Sequence, residues 1–289
     1  MARRADAIAE NAPGELFVDR SCIDCDLCRQ LAPAVFARQD RRGQSYVARQ
    51  PAGDAERHRA LMALVTCPTS SIGTTTKLDT RAAAAAFPAP VDGLPGVMFC
   101  GYASADSYGA SSWLVRRPDG NVLVDSPRWA AALADRIEAL GGIRTMVLTH
   151  RDDVADHDAW RRRFGCERVI HAADVSGDTA ACERIVDGET RLAPDLLVIP
   201  VPGHTRGSVA LLHDGVLFSG DHVWATDDQQ GLACGRDVCW YSWPEQRRSI
   251  EALAAHDFTH VLPGHGRRFH AASPAAMRAE LARLARSMA

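Results

Sequence analysis

The chain has no long apolar run: nothing in its 289 residues approaches the ~20 consecutive apolar residues that a transmembrane helix needs. A membrane span is therefore not expected. It also lacks a surplus of one charge, with 33 Lys and Arg against 36 Asp and Glu and a formal net charge of −3. Without a basic field, neither nucleic acid nor an anionic membrane is an expected partner. Met1-Ala-Arg-Arg is basic, but no apolar segment follows it before Gly14, and acidic residues arrive at Asp6 and Glu10. That pattern is not an export signal, so a cytoplasmic protein is expected. Nine cysteines are an odd number spread over a long chain, which argues against a disulfide framework. No tandem repeat is visible.

What the chain does have is a set of four spaced cysteines. Cys22-Ile-Asp-Cys25-Asp-Leu-Cys28 stands near the start, and Cys67-Pro68 much later. Three thiolates at intervals of three wrap around one cuboidal iron–sulfur cluster, and a remote Cys followed by Pro supplies the fourth ligand. Four thiolates with two-residue spacers also suit a tetrahedral structural zinc site, but the close string of three plus Cys-Pro favours iron–sulfur. Strands are expected at Leu16–Val18, Ser45–Ala48 and Ser71–Gly73, with a helix at Ala55–Val65. This part resembles single-cluster bacterial-type ferredoxins. In the two-cluster pattern a further Cys stands four positions after the third and precedes Pro; here Ala32-Pro33 occupies that place, so one cluster is expected. Because Cys25 is present, the resemblance implies a 4Fe-4S rather than a 3Fe-4S centre held by Cys22, Cys25, Cys28 and Cys67.

The composition then changes. Residues 81–95 carry an Ala run followed by Pro88, Pro90, Gly93 and Pro95, which is simplest as a linker, although the Ala run also suits a short helix packed on the first domain. The expected division is a ferredoxin-like domain at 1–80, a linker at 81–95 and a larger domain at 96–289. The larger domain opens with strands at Val97–Tyr102, Ser111–Val115 and Asn121–Asp125, the last two joined by an Asp119-Gly120 turn. Helices follow at Trp129–Leu140, Ala155–Phe164, Pro244–His256 and Ser273–Met288, separated by strands at Thr145–Leu148, Arg168–His171, Leu196–Pro200, Ser208–Leu212, Val216–Ser219 and Thr259–Leu262. Ser273 as N-cap and Pro274 at the first helical position mark the start of the closing helix. Strands first, then alternating helix and strand, imply a layered α/β sandwich.

Four segments put His and Asp beside Gly or at a strand terminus: Thr149-His150-Arg-Asp152-Asp153-Val-Ala-Asp156-His157, Pro202-Gly-His204-Thr, Ser219-Gly-Asp221-His222 and Pro263-Gly-His265-Gly. Glycine lets the backbone turn sharply and come close to an ion, while imidazole and carboxylate suit zinc, iron or manganese. On these loops and their order the chain resembles the metallo-β-lactamase superfamily over nearly all of residues 92–289. The resemblance implies an αββα sandwich with two metal ions at one edge. The family's first motif is His-x-His-x-Asp-His. His150 matches its first His and Asp156-His157 its closing pair, but two extra residues intervene and the second His is missing. Asp152 stands at the interval expected for it, with Asp153 as the alternative. The resemblance thus puts His150, the Asp152 or Asp153 carboxylate and His204 on one ion, Asp156, His157 and His265 on the other, and Asp221 between them. Asp156 and Asp221 would serve catalysis, and His222 would orient or protonate a substrate. His171, His260 and His270 read as structural, and Trp224, Trp240, Tyr241 and Trp243 wall a pocket or pack the core.

Two ions ~3.5–4 Å apart share a hydroxide and polarise a carbonyl or phosphoryl group, which is hydrolytic chemistry on an ester, thioester, amide or phosphoester. A carboxylate in place of the second imidazole hardens the site toward iron or manganese. With a 4Fe-4S cluster attached, the competing reading is an oxidoreductase in which the cluster passes single electrons to a non-haem iron site and exchanges them with a redox partner protein. A third reading is a non-catalytic electron carrier or sensor. The sequence implies a small-molecule substrate for either enzyme.

Overall fold

Leu16–Val18, three apolar residues in a row, form a strand paired antiparallel with Ile72–Thr74, Phe17 facing Gly73. A second pair joins Phe36–Arg38 to Ser45–Val47. The computed structural model describes residues 2–40 and 43–289. By its contacts the chain falls into two units, one of Met1–Asn121, Pro127–Ile143 and Ala155–Arg163, the other of Val122–Ser126, Arg144–Val154 and Phe164–Ala289.

In the first unit the two strand pairs and the helix Asp54–Thr66 close on one core, with Val18, Val35, Val47 and Ala60 fully buried. Asn11 ties the layers together. Its Nδ2 donates to the Ile8 and Val18 carbonyls, and its Oδ1 accepts from the Val18 and Val47 N–H groups. The stretch expected as a linker carries structure: the Ala run is the helix Arg81–Ala85, and Ala89–Pro90 pairs with Val97–Phe99. That strand is shorter than the sequence suggests because Gly101 and Tyr102 both take a positive φ, of 62° and 48°, which ends an extended ladder.

The second unit contains two sheets. Val122–Val124, Thr145–Val147, Glu167–His171 and Arg184–Val186 lie side by side and parallel. The first two are almost wholly apolar and buried, as parallel strands covered on both faces must be. The other sheet runs in the order Thr190–Ala193, Leu196–Pro200, Val209–His213, Val216–Gly220, His260–Pro263 and Phe269–His270. Asp214 and Gly215, at φ of 43° and 77°, make the tight turn between its third and fourth strands. The helices Trp243–Leu253 and Pro274–Ser287 bury Ile250, Leu253, Met277, Leu281 and Leu284 against Leu197, Ile199, Leu217 and Val261 of this sheet. Ser242 and Ser273 cap them by accepting the Glu245 and Ala276 N–H groups.

The positions that matter follow strand ends. Asp125, His150 and Asp174 come after three of the parallel strands. Asp221 and His265 come after Val216–Gly220 and His260–Pro263, which are parallel neighbours. Open α/β sheets present ligand sites at such carboxyl ends.

One ion pair fixes the return from Glu167–His171. The Arg168 side chain is 3% exposed and donates from Nε to Glu183 Oε2 at 2.9 Å and from a terminal nitrogen to Oε1 at 3.0 Å. Burial pushes the Glu183 carboxyl up, but these bonds outweigh it and hold the group down at about 2 from an ordinary 4.5. A depressed carboxyl stabilises the fold above its unfolded value, and the gain is lost as pH falls from about 4.5 toward 2. The shift corresponds to about 3 kcal/mol at most, reduced to about 1–2 kcal/mol for the solvent that still reaches Glu183. Glu183→Gln should therefore lower stability to urea by that amount at pH 7 and leave it unchanged near pH 2. A deficit of equal size at both pH values would reject the assignment.

Candidate metal centre

The four spaced cysteines line one small cavity together with Val18, Leu27, Ser45, Pro68 and Ile72. Asp24 and Asp26 adopt φ of 61° and 65°, so the chain coils between successive thiols. Arg29 balances both acids and also donates to Ser45 Oγ at 2.5 Å. The Ser45 N–H points to Cys22 Sγ at 3.4 Å and the Ser71 N–H to Cys67 Sγ at 3.3 Å. Burial raises the Cys25 thiol and pushes Cys28 up to about 12. Four sulfurs collected where a bare thiolate is costly fit a cationic cluster that needs thiolate ligands. Gly109, at φ of 87°, lies against this site, since a Cβ there would stand 2.6 Å from Cys25 Cβ and 3.1 Å from Pro68.

In the second unit His150, Asp152, Asp153, His204, Asp221 and His265 converge. Thr149 Oγ1 gives its hydrogen to Asp125, at 2.9 and 3.0 Å from the two carboxylate oxygens, and lies 3.0 Å from His150 Nδ1. The imidazole is thereby assigned as the Nδ1–H tautomer, with a lone pair on Nε2. His204 Nδ1 donates to the Val238 carbonyl at 2.6 Å, which leaves its Nε2 in the same state. His265 Nδ1 lies 2.8 Å from both Asp221 oxygens.

Around these lone pairs the spacing is that of donors sharing ions. His150 Nε2 and His204 Nε2 each lie 3.8 Å from Asp221 Oδ2. His204 Nε2 is 3.5 Å from Asp152 Oδ2, and His150 Nε2 is 3.9 Å from Asp153 Oδ2. Ligands held ~2.1 Å from one ion stand ~3–4 Å from one another. Such gaps are too long for hydrogen bonds. Two groups of three emerge, His150 with Asp152 and His204, and His150 with Asp153 and Asp221. Gly264 permits this approach: a Cβ there would meet Asp221 Oδ1 at 2.8 Å and Asp153 Oδ2 at 2.9 Å.

Both Asp153 oxygens, His150 Nε2 and His204 Nε2 are buried without a hydrogen-bond partner among the described residues. Leaving such groups unpaired is expensive. Burial, and then the neighbouring Asp221, drives Asp153 well above the ordinary carboxyl range. Burial would also raise Asp221, but His265, His150 and His204 overcome it and hold Asp221 far below that range. Burial takes His150 down to about 4, so its ring is neutral at pH 7 and able to ligate. The donor set fits divalent cations, which would supply the missing counter-charge and fill the lone-pair sites.

Two further expected ligands, Asp156 and His157, lie where the chain enters the next helix. Asp156 is exposed, takes a φ of 55° and accepts the Trp129 N–H at 2.8 Å. His157 is buried as the first residue of the helix His157–Phe164. Both fall in the first unit. Asp152 and Asp153, read as alternatives from the sequence, both enter the cluster. His222 is 1% exposed, and burial lowers it to about 3, so it is a neutral ring. Trp240 and Tyr241 are exposed, whereas Trp243 packs on the core. Sequence reasoning missed the groups that set the tautomers, Thr149 and the Val238 carbonyl. Neither has a sequence signal, because a carbonyl 34 residues away is visible only once the chain is folded.

Residues 18–74 match the model of the 4Fe-4S single cluster domain of ferredoxin I. Relatives of the remainder include hydroxyacylglutathione hydrolases, one from Stenotrophomonas maltophilia at 37% identity over 145 residues, covering 46% of this chain and 50% of that protein. One from Xanthomonas oryzae is 31% identical over 157 residues, covering 53% and 56%. The chain thus spans about half the length of the curated relatives it matches. Among solved structures, a metallo-β-lactamase from Erythrobacter litoralis aligns with a TM-score of 0.52 at 18% identity, covering 67% of this chain and 96% of that one. One from Hirschia baltica aligns at 0.51 and 17%, covering 66% and 96%. These likenesses show the metallo-β-lactamase fold.

Proposed function

We propose that the protein is a metal-dependent hydrolase acting on a small ester or thioester at a binuclear site built from His150, Asp152, Asp153, His204, Asp221 and His265. The observation that carries this is the convergence of three imidazoles and three carboxylates, among which His150 Nε2, His204 Nε2 and both Asp153 oxygens are buried without a hydrogen-bond partner among the described residues. The hydrolase relatives support the reaction class. Divalent ions bound there would lower the pKa of water toward ~7 and polarise the substrate carbonyl. The chain's own residues do the rest. His150 and His204 are held as Nδ1–H tautomers, Asp221 stands between their Nε2 atoms, and His265 is fixed by its bond to Asp221. Asp152, about a third exposed, stands at the solvent side of the cluster, where a substrate would arrive.

A second reading, electron transfer from the cluster to an iron site, is favoured by one observation: Gly109 packs directly on Cys25, so the cluster site is built into its unit rather than appended to it. The test is turnover of a hydroxyacyl-glutathione thioester by anaerobic, metal-loaded protein without reductant, following release of the thiol. Release that stops on chelation of the metals is the expected result. Turnover that appears only with an electron donor would reject hydrolysis in favour of the redox reading.

A further inference from the structure

We propose that Asp174 is a positioning residue that sets the distance between the two metal-binding imidazoles, His150 and His204, by clamping the residues that follow each of them. The proposal rests on the metal reading of this cluster. Asp174 is 1% exposed, and both of its oxygens are taken. Oδ2 accepts the Arg151 N–H at 3.1 Å and the Thr205 hydroxyl at 2.5 Å, and Oδ1 accepts the Gly207 N–H at 2.8 Å. Arg151 directly follows His150, and Thr205 directly follows His204. One carboxylate therefore joins the loop after a parallel strand to a loop of the other sheet. With its oxygens occupied it is not itself a ligand.

The chemistry calls for a carboxylate. Three donors converge on the same point, and an ionised carboxyl is the side chain that accepts at both oxygens and offers no hydrogen to oppose them. Asn would turn its NH2 toward one of the donors. The surroundings are shaped to the same end. Gly207 has no room for a side chain, since a Cβ would stand 2.6 Å from the Asp174 nitrogen and 2.7 Å from its Cγ. The Thr205 hydroxyl, having donated to Asp174, lies 2.8 Å from Ser208 Oγ, which also accepts the Thr205 N–H at 2.9 Å. Asp174 is held in turn by the short helix Ala172–Asp174 after the strand Glu167–His171 and by a bond from the Thr179 hydroxyl to its carbonyl. Asp174, Thr205, Gly207 and Ser208 are buried, whereas Arg151 is exposed and takes part through its backbone N–H alone. Its geometric product is the 4.7 Å separation and 88° angle between the His150 and His204 rings.

The probe is Co(II), titrated into metal-free full-length protein and read by its visible ligand-field bands. Asp174→Ala should weaken Co(II) binding about 10- to 100-fold, the usual loss when a partner behind a ligand is removed, and should shift or flatten the bands. Thr205→Ala should change both in the same direction by less, and Thr205→Ser, which restores the hydroxyl, should recover them. A merely structural role would lower the thermal midpoint of the metal-free protein and leave affinity and bands of the folded fraction untouched. That outcome would overturn the proposal. Should Asp174→Ala not fold, Thr205→Ala decides alone, and wild-type affinity and bands in that variant would overturn it equally. Wild-type protein that takes up no Co(II) would sink the metal reading, and this inference with it.

Discussion

Asp221→Ala should remove metal from the second unit altogether. In the fold, Asp221 Oδ2 is 3.8 Å from the Nε2 atoms of both His150 and His204, and both of its oxygens lie 2.8 Å from His265 Nδ1. His150, His204 and His265 therefore all stand next to this one carboxylate. Removing it deletes a donor from each ion and releases His265. It also leaves buried imidazoles with nothing to offset a bound cation's neighbours. Breaking a buried ionic arrangement by removing one partner costs about 3–5 kcal/mol, which is a loss of about 100-fold to several thousand-fold in metal affinity. Elemental analysis should therefore find iron matching one cluster and no second-unit metal. Asp221→Asn keeps the shape and removes the charge, and should retain at most one weakly held ion. Two tightly bound ions in either variant would mean that the ligand set is wrong. Asp152→Ala, by comparison, deletes a donor from the His150–Asp152–His204 group alone and should leave the Asp153 side loaded.

The difference between these aspartates bears on what was readable in the chain. The strands and the capped closing helix were legible because apolar periodicity and capping chemistry act locally. The cysteine set was legible because a cluster demands ligands at fixed intervals. His150, His204, Asp221 and His265 could be singled out as candidates because each sits beside a glycine or at a strand end, a context apparent without a fold. The loop Asp152–His157 was only partly legible. A motif with an insertion has two alignments, one anchored on its first His and one on its closing Asp-His pair, and spacing alone cannot decide between them. In the fold Asp153 is 1% exposed with no hydrogen-bond partner among the described residues, while Asp156 is exposed and accepts the Trp129 N–H. Residues that act through others were not legible at all. Asp174 is one aspartate after one strand until the fold brings Arg151, Thr205 and Gly207 to it.

Replacing Cys22, Cys25, Cys28 and Cys67 together by Ala should separate the two chemistries. Anaerobically purified wild-type protein should be brown, with a broad band in the blue, and the quadruple variant colourless. The thiols occupy a cavity whose walls include Val18, Leu27 and Ile72. Emptying it removes the cluster but leaves the apolar contacts among Val18, Val35, Phe36, Val47 and Ala60 that close the first unit's core. The variant should accordingly fold with a lower thermal midpoint, since a bound metal centre contributes its binding free energy to the folded state alone. The candidate ligands of the second unit all lie outside this cavity, and their tautomers are set by Thr149 and Val238, not by sulfur. On the hydrolytic reading, thioester turnover per second-unit metal should then stay within about threefold of wild type, a barrier change of less than 1 kcal/mol. A fall to background in a variant that still holds its full complement of second-unit metal would show that the reaction needs the cluster's electrons. In that event the same six residues would be assigned to an iron site, for which three carboxylates beside three imidazoles are already a suitable donor set.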